Sequence, residues 1–394
     1  MTDNLYKEIK NIEFDIKRWR EELHRIPELG LDLPRTSEYI KNELDKLGIE
    51  YNTLLNGKAI VALIKGNKSE KTIAIRADMD GLPITEETGL EFSSKNGNMH
   101  ACGHDGHMAS LLAAAKILNE NKSKLKGCVK LIFQPGEEYP GGAKPMIDAG
   151  VLENPKVDLI IGSHIGQLSK EVEFGNIGIK YGPMMASMDR FYVNVKGKGC
   201  HGAYPELGID PIIMTAEIIQ GIQNIKSREI AAVEPCVISI CRVNGGINQN
   251  IIPDSVEIEG TVRALNKDLQ VYISERIEEV VKNTTLSHGG EYDYEYDFKY
   301  PPLINNDEET EKLEKILRDS ILKDNLTIIK NPLMGGEDMA FYLEKVPGVF
   351  FYLSNLKEVD GKNYNHHNSK FNIDEKELWK VVYTFVKYVF EYLA

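Results

Sequence analysis

The sequence has no apolar run near the roughly 20 residues needed to span a bilayer, which argues against an integral membrane protein. Basic residues are in deficit. Lys and Arg number 47 against 60 Asp and Glu, a formal net charge of −13, so the chain lacks the electrostatic footprint of a nucleic-acid binder. Cysteine is sparse. Cys102, Cys128, Cys200, Cys236 and Cys241 include no C-x-x-C and form no paired framework, so they read as free thiols or metal ligands. The first residues carry no apolar signal core, which makes the cytoplasm the expected compartment. Internal repeats and low-complexity tracts are also lacking. What is present is 394 residues, 42% hydrophobic and 27% charged, a composition that predicts a folded chain of about two domains.

Ile9, Ile12, Ile16, Trp19 and Leu23 recur at helical spacing and predict an opening helix. Residues 36–38 open a second helix over 39–47, which Gly48 stops. Apolar stretches at 59–64, 72–77, 129–133 and 157–161 predict buried strands, with a helix over 108–119 among them. That alternation predicts an α/β layer architecture. From about Asp189 the pattern changes. A strand at 191–195, a helix at 211–225, strands at 237–243 and 255–264, a helix at 269–283 and a strand at 291–296 follow in order. This βαββαβ order is that of a ferredoxin-like unit. After Tyr300-Pro301-Pro302 the α/β pattern resumes with a helix at 308–322, a strand at 349–353 and a helix at 375–393. The expected organisation is a discontinuous α/β domain, 1–186 and 299–394, interrupted by an inserted domain, 187–298.

Histidine supplies the first chemistry. In the run His100 to His107, Cys102 and His104 stand two apart, so in an extended segment both side chains point to one side. A thiolate beside an imidazole suits a borderline metal such as zinc. His107, on the first turn of the following helix, reads as a supporting residue. Gln134-Pro135-Gly136-Glu137-Glu138 follows the strand at 129–133. Adjacent carboxylates in an extended segment face opposite ways, so one can bind a metal while the other faces a bound water. A solvated Glu pair is the plain alternative. The location favours chemistry, because α/β sheets bind ligands at the carboxyl ends of their strands. His164, after the stretch at 157–161, shares that location, and one or both of His366 and His367 add to the set. Cys102, His104, Glu138, His164 and His367 are too many for one tetrahedral catalytic ion and suit two ions sharing ligands.

The motifs Arg76-Ala77-Asp78-Met79-Asp80-Gly81-Leu82-Pro83, His100-Ala101-Cys102-Gly103-His104-Asp105, Gln134 to Glu138 and Gly335-Gly336-Glu337-Asp338 occur in this order. Gly199-Cys200-His201-Gly202-Ala203, Asn250-Ile251-Ile252-Pro253 and the early Leu23-His24-Arg25-Ile26-Pro27-Glu28-Leu29 accompany them. Over nearly its full length the chain resembles the M20 metallopeptidase superfamily. Its amidohydrolase branch is the nearer likeness: N-acyl-L-amino-acid amidohydrolases, hippurate hydrolases and auxin-conjugate hydrolases.

The resemblance implies a metal-dependent hydrolase that cleaves N-acyl-L-amino acids to a carboxylate and a free amino acid. It makes Cys102, His104, Glu138, His164 and His367 the ligands of two divalent ions, zinc or manganese, with cobalt or nickel as alternatives. Glu137 becomes the general base, and Asp78 an orienting carboxylate behind the ligands. Arg76 stands where the peptidase branches carry a ligand histidine. The inserted ferredoxin-like domain resembles a lid through which subunits form a homodimer, or a tetramer built from it. His201 matches the histidine that stabilises the oxyanion, and Asn250 and Arg263 match residues that hold the substrate carboxylate. Cys200, Glu206 and Gly166-Gln167 depart from the usual pattern and bear on the substrate. N-acetyldiaminopimelate deacetylase and M20 dipeptidase or carboxypeptidase activities are rival readings, and an inactive dimeric ligand-binding protein is a rival of another class.

Overall fold

The computed structural model describes residues 2–68 and 71–394. Two helices, α1 (Thr2–Asn11) and α2 (Glu13–His24), stand where the sequence predicts one, because Ile12 leaves helical geometry at φ −107°, ψ 13°. Helix α3 (Pro34–Lys46) opens on a proline, which suits a first turn, and ends before Gly48 at φ +65°. Then come β1 (Tyr51–Leu54), β2 (Ala59–Lys65), β3 (Thr72–Asp78), α4 (His104–Glu120), β4 (Cys128–Gln134), β5 (Leu159–Ile165) and β6 (Ile177–Ile179). Every residue of β3, β4 and β5 is buried, the reason these segments read as continuous apolar runs rather than alternating ones.

The next elements are β7 (Met188–Lys196), α5 (Pro211–Asn224), β8 (Cys236–Gly245), β9 (Ser255–Ala264), α6 (Lys267–Ser287) and β10 (Glu291–Tyr300). Their four strands form an antiparallel sheet in the order β8-β9-β7-β10. Phe191, Val193 and Val195 of β7 pack with Met214, Ile218 and Ile222 of α5 and Ile273, Ile277 and Val281 of α6. The opposite face is polar, giving β9 a strict alternation of buried and half-buried residues. Asp210 caps α5 and Asn266 caps α6, each side chain accepting backbone N–H groups of the first turn.

The chain finishes with α7 (Asp307–Arg318), β11 (Leu326–Ile328), β12 (Gly348–Leu353) and α8 (Trp379–Tyr392). The large sheet runs β1-β2-β4-β3-β5-β12-β6-β11. Its centre, β4-β3-β5-β12, is parallel, so four carboxyl ends lie side by side. Two compact units result. One comprises Met1–Gly182, Ile304–Asn331 and Asp338–Ala394, and the other Pro183–Leu303 and Pro332–Glu337. Among the described residues, no helix is long and apolar enough to cross a membrane.

Three expected local geometries differ. Helix α4 begins at His104, one turn before the predicted start, because Gly103 at φ +83° turns the chain directly into it. Cys102 and His104 therefore flank a turn instead of sharing an extended segment. Glu137 and Glu138 likewise sit in a turn, entered through Gly136 at φ +72° and closed by the Gly141 N–H donating to the Gly136 carbonyl at 2.9 Å. His164 lies inside β5 and not after it, since pairing with β12 continues through Tyr352 opposite His164 to Leu353 opposite Ile165.

Candidate metal centre

The carboxyl ends of β3, β4 and β5 and the start of α4 bring the expected ligands together. Ligand atoms of Cys102, His104 and His164 lie within 4.8 Å of one another, as do those of Cys102, Glu138 and His367, and those of His104, Glu137 and Glu138. These overlapping triplets join all five proposed ligands to the proposed base. Glu137 is buried, whereas the His367 side chain keeps 53% of its surface exposed and meets Glu138 Oε1 with Nε2 at 3.0 Å. His367 has φ +63°, a conformation few non-glycine residues adopt, and its N–H is held by the Ala101 carbonyl at 2.9 Å.

The two buried imidazoles are oriented to offer lone pairs. His104 donates Nδ1–H to the Asp80 carbonyl at 2.9 Å. Its Nε2 is buried and finds no hydrogen-bond partner among the described residues, with Asp78 Oδ2 standing off at 3.6 Å. His164 donates Nδ1–H to the Ile165 carbonyl at 3.1 Å and turns Nε2 toward the Cys102 sulfur at 3.5 Å. Burial, with the His107 and His366 rings, holds His164 well below the usual histidine range, so the ring is neutral. A ring that gives Nδ1–H to a carbonyl and leaves Nε2 free is the arrangement metal-binding histidines use.

The site is short of positive charge. Burial, Glu138 and Glu137 push the Cys102 thiol well above its ordinary value. Burial opposes charge on the His104 ring, yet Asp78, Asp80 and Glu138 push it up to about 10. Positive charge is therefore favoured among these acidic groups. Divalent ions would supply that charge and make the thiolate accessible. The unsatisfied nitrogen and the S, N and O donor set therefore fit a metal, and fit zinc-like ions best by ligand type.

Asp78 does not complete the donor set. Its Oδ1 receives His107 Nδ1–H at 2.5 Å and its Oδ2 receives Arg76 Nη1 at 2.9 Å. Burial would raise the Asp78 pKa, but His104, His107 and Arg76 hold it well below the usual carboxylate range. His107 accepts the Ile165 N–H on its remaining nitrogen at 2.9 Å, so it supports the ligands without a free lone pair. His366 is tied differently from its neighbour. Its Nε2 donates to the Ile165 carbonyl at 3.1 Å, and burial pushes its pKa down to about 4. The unexpected Gly166 is explained here, because a Cβ at that position would fall 1.9 Å from His366 Nε2.

Asp80 escapes a reading by residue type, although it lies in the same Arg76–Pro83 run. It is buried, and its carboxylate accepts the N–H of Glu137 at 2.9 Å and of Glu138 at 3.1 Å. Its place two residues beyond Asp78, off the end of β3, was the one available signal.

The remaining expected residues belong to the smaller unit. His201 and Asn250 come together there. Ile251 pairs with His201, the Gly202 N–H donates to the Asn250 carbonyl at 2.8 Å, and both residues line a pocket of about 710 Å³ with Cys200 and Ile247. His201 is exposed, its Nδ1 accepting the Ala203 N–H at 3.1 Å. Arg263 is not in that lining. It lies on the polar face of β9 and donates to Thr261 Oγ1 at 2.5 Å and to the Val262 carbonyl at 2.9 Å.

Comparison with known proteins agrees with this geometry. The profile of peptidase family M20/M25/M40 matches residues 74–391. Thermostable carboxypeptidase 2 of Saccharolobus solfataricus is 40% identical over 96% of this chain and 95% of its own length. The N-acyl-L-amino acid amidohydrolase of Geobacillus stearothermophilus is 41% identical over 76% of this chain and 80% of its own. Among solved structures, the Bacillus subtilis YXEP protein, titled a dinuclear metal binding peptidase from the M20 family, superposes with a TM-score of 0.83. It is 34% identical and covers 98% of this chain and 99% of that one.

Proposed function

This chain belongs to peptidase family M20/M25/M40, and from that premise we propose that it is a metal-dependent amidohydrolase cleaving N-acyl-L-amino acids to a carboxylate and a free amino acid. The observation that carries the reading is the buried, unsatisfied Nε2 of His104, set among Cys102, Glu137 and Glu138. Cys102, His104, Glu138, His164 and His367 would hold two divalent ions, zinc or manganese by ligand type. Bound there, such ions polarise an amide carbonyl and acidify a water.

The chain's own residues handle the protons. Glu137 accepts the proton of the attacking water and returns it to the amine as the C–N bond breaks. One carboxylate can do both, as acid and base in successive steps. The backbone and side-chain bonds to His104 and His164 fix which ring nitrogen faces the centre. The roles of His201 at the oxyanion and of Asn250 and Arg263 at the substrate carboxylate rest on the family resemblance. So do the lid and homodimer expected of the βαββαβ unit.

A second reading has a specific finding behind it. A relative at 40% identity is named a carboxypeptidase, so release of a C-terminal amino acid from a peptide is the competing substrate class. Both reactions hydrolyse an amide whose leaving amine is an amino acid. One panel separates them: hippurate, N-acetylmethionine, N-acetyldiaminopimelate and a dipeptide, each with and without chelator. The proposal predicts chelator-sensitive hydrolysis of the acyl amino acids. Hydrolysis that ignores the chelator, or a panel with no turnover at all, would overturn it.

A further inference from the structure

We propose that Asp80 is a positioning residue for the reaction, setting the base Glu137 and the carboxylate Glu138 against the metal centre through their backbone. The inference rests on the function proposed above and names a residue which that reading does not use.

Asp80 holds three pieces of the site at once. Oδ1 accepts the Glu137 N–H at 2.9 Å, and Oδ2 accepts the Glu138 N–H at 3.1 Å. Its main-chain carbonyl accepts Nδ1–H of His104 at 2.9 Å. One residue thus orients the base, a candidate carboxylate ligand and a candidate imidazole ligand. They come from two other segments of the chain, the turn after β4 and the start of α4. Bonds from N–H groups to an ionised carboxylate are the strong kind, and two on separate oxygens fix rotation as well as distance.

Asp80 is itself anchored. The Gly81 N–H donates to the Glu28 carbonyl at 2.7 Å, and Leu82 exchanges backbone bonds with Met99 at 2.8 and 2.9 Å. The far side of the turn is constrained too, since Gly136 sits at φ +72°, a conformation that residues with side chains rarely adopt. Without the Asp80 carboxylate, the Glu137 and Glu138 N–H groups would lose the acceptor that holds them in place. A base displaced by about 1 Å costs on the order of 10²-fold in rate, which is the scale of effect that such a clamp protects.

Asparagine at this position keeps one acceptor and turns an NH₂ group toward the second amide. The test compares wild type and Asp80→Asn loaded with Co²⁺. It reads the visible ligand-field spectrum, cobalt stoichiometry and affinity, thermal midpoint, and kcat and KM on N-acetylmethionine. The expected result is a folded variant that still takes up cobalt, with affinity or kcat lowered about 10–100-fold, a changed spectrum and KM within about twofold. A merely structural pin would lower the thermal midpoint and leave the spectrum and kcat of the loaded enzyme untouched, and that result overturns the proposal. Should Asp80→Asn fail to fold, Asp80→Glu keeps the charge and both acceptors but moves them by a methylene. It is expected to show the same spectral change and kcat loss, and a wild-type result there overturns the proposal as well. A wild type that takes up no cobalt and hydrolyses nothing refutes the functional reading itself, and this inference with it.

Discussion

Arg76 Nη1 lies 2.9 Å from Asp78 Oδ2, and both side chains are almost wholly removed from solvent. The same guanidinium donates Nη2 to Asp338 Oδ1 at 2.6 Å and Nε to Gln134 Oε1 at 3.0 Å. One buried cation therefore serves two buried carboxylates beneath the candidate ligands. Removing it with Arg76→Met takes away the one guanidinium shared by both acids and is expected to cost about 3–5 kcal/mol. Arg76→Lys keeps the charge but cannot form the fork, and should fall between that variant and wild type. Denaturant unfolding of the metal-free proteins measures this, and an unchanged midpoint in Arg76→Met would contradict it.

The adjacent histidines 366 and 367 are expected to behave differently. His367 faces Glu138, whereas His366 is spent on the Ile165 carbonyl. His367→Ala should weaken binding of one ion by at least about 10-fold, with His366→Ala retaining two equivalents. Gly166→Ala should resemble the His366 variant, because its Cβ would displace the ring from the Ile165 carbonyl. Isothermal titration of metal into the three variants checks the order. Equal losses in the His366 and His367 variants would remove the distinction.

A separate buried network makes stability depend on pH. His24 gives Nδ1 to Asp105 Oδ2 at 2.8 Å and Nε2 to Glu86 Oε1 at 3.1 Å. Burial opposes charge on His24, but Asp105 and Glu86 raise its pKa above the ordinary 6.5. Burial likewise opposes Glu86, yet His24, Thr88 and the Ser94 N–H lower it below 4.5. The raised histidine stabilises the fold fully below its unfolded pKa, and that stability is lost as pH rises through the folded value. The lowered glutamate stabilises above its unfolded pKa, and that is lost as pH falls through the folded value. Both contributions are present together between 4.5 and 6.5. The stability gap between wild type and Glu86→Gln should thus be widest near pH 5.5, by melting of the metal-free proteins. A gap that widens steadily to pH 9 would show that His24 is not the partner.

Much of this was legible in the residues. Strands β3, β4 and β5 announce themselves because helices and neighbouring strands bury them on both faces, so their sequences are apolar throughout. The grouping of a thiol, imidazoles and carboxylates was legible too, and the fold brings these candidate ligands within reach of one another. The local geometry was less so. Gly103 and Gly136 turn the chain at positive φ, which places Cys102, His104, Glu137 and Glu138 by tight turns where spacing alone reads extended backbone. Asp80 was least legible of all. Its carboxylate acts on amides 57 and 58 residues away, a tertiary relationship that no local pattern encodes.

The central claim is that Glu137 moves the proton while other residues hold the metal. Glu137→Gln, assayed on N-acetylmethionine after metal analysis of the same preparation, tests it most directly. Two bound divalent ions per chain, as in wild type, and a kcat lowered by about 10²–10⁴-fold are expected. A metal-replete Glu137→Gln enzyme turning over within about tenfold of wild type would contradict it.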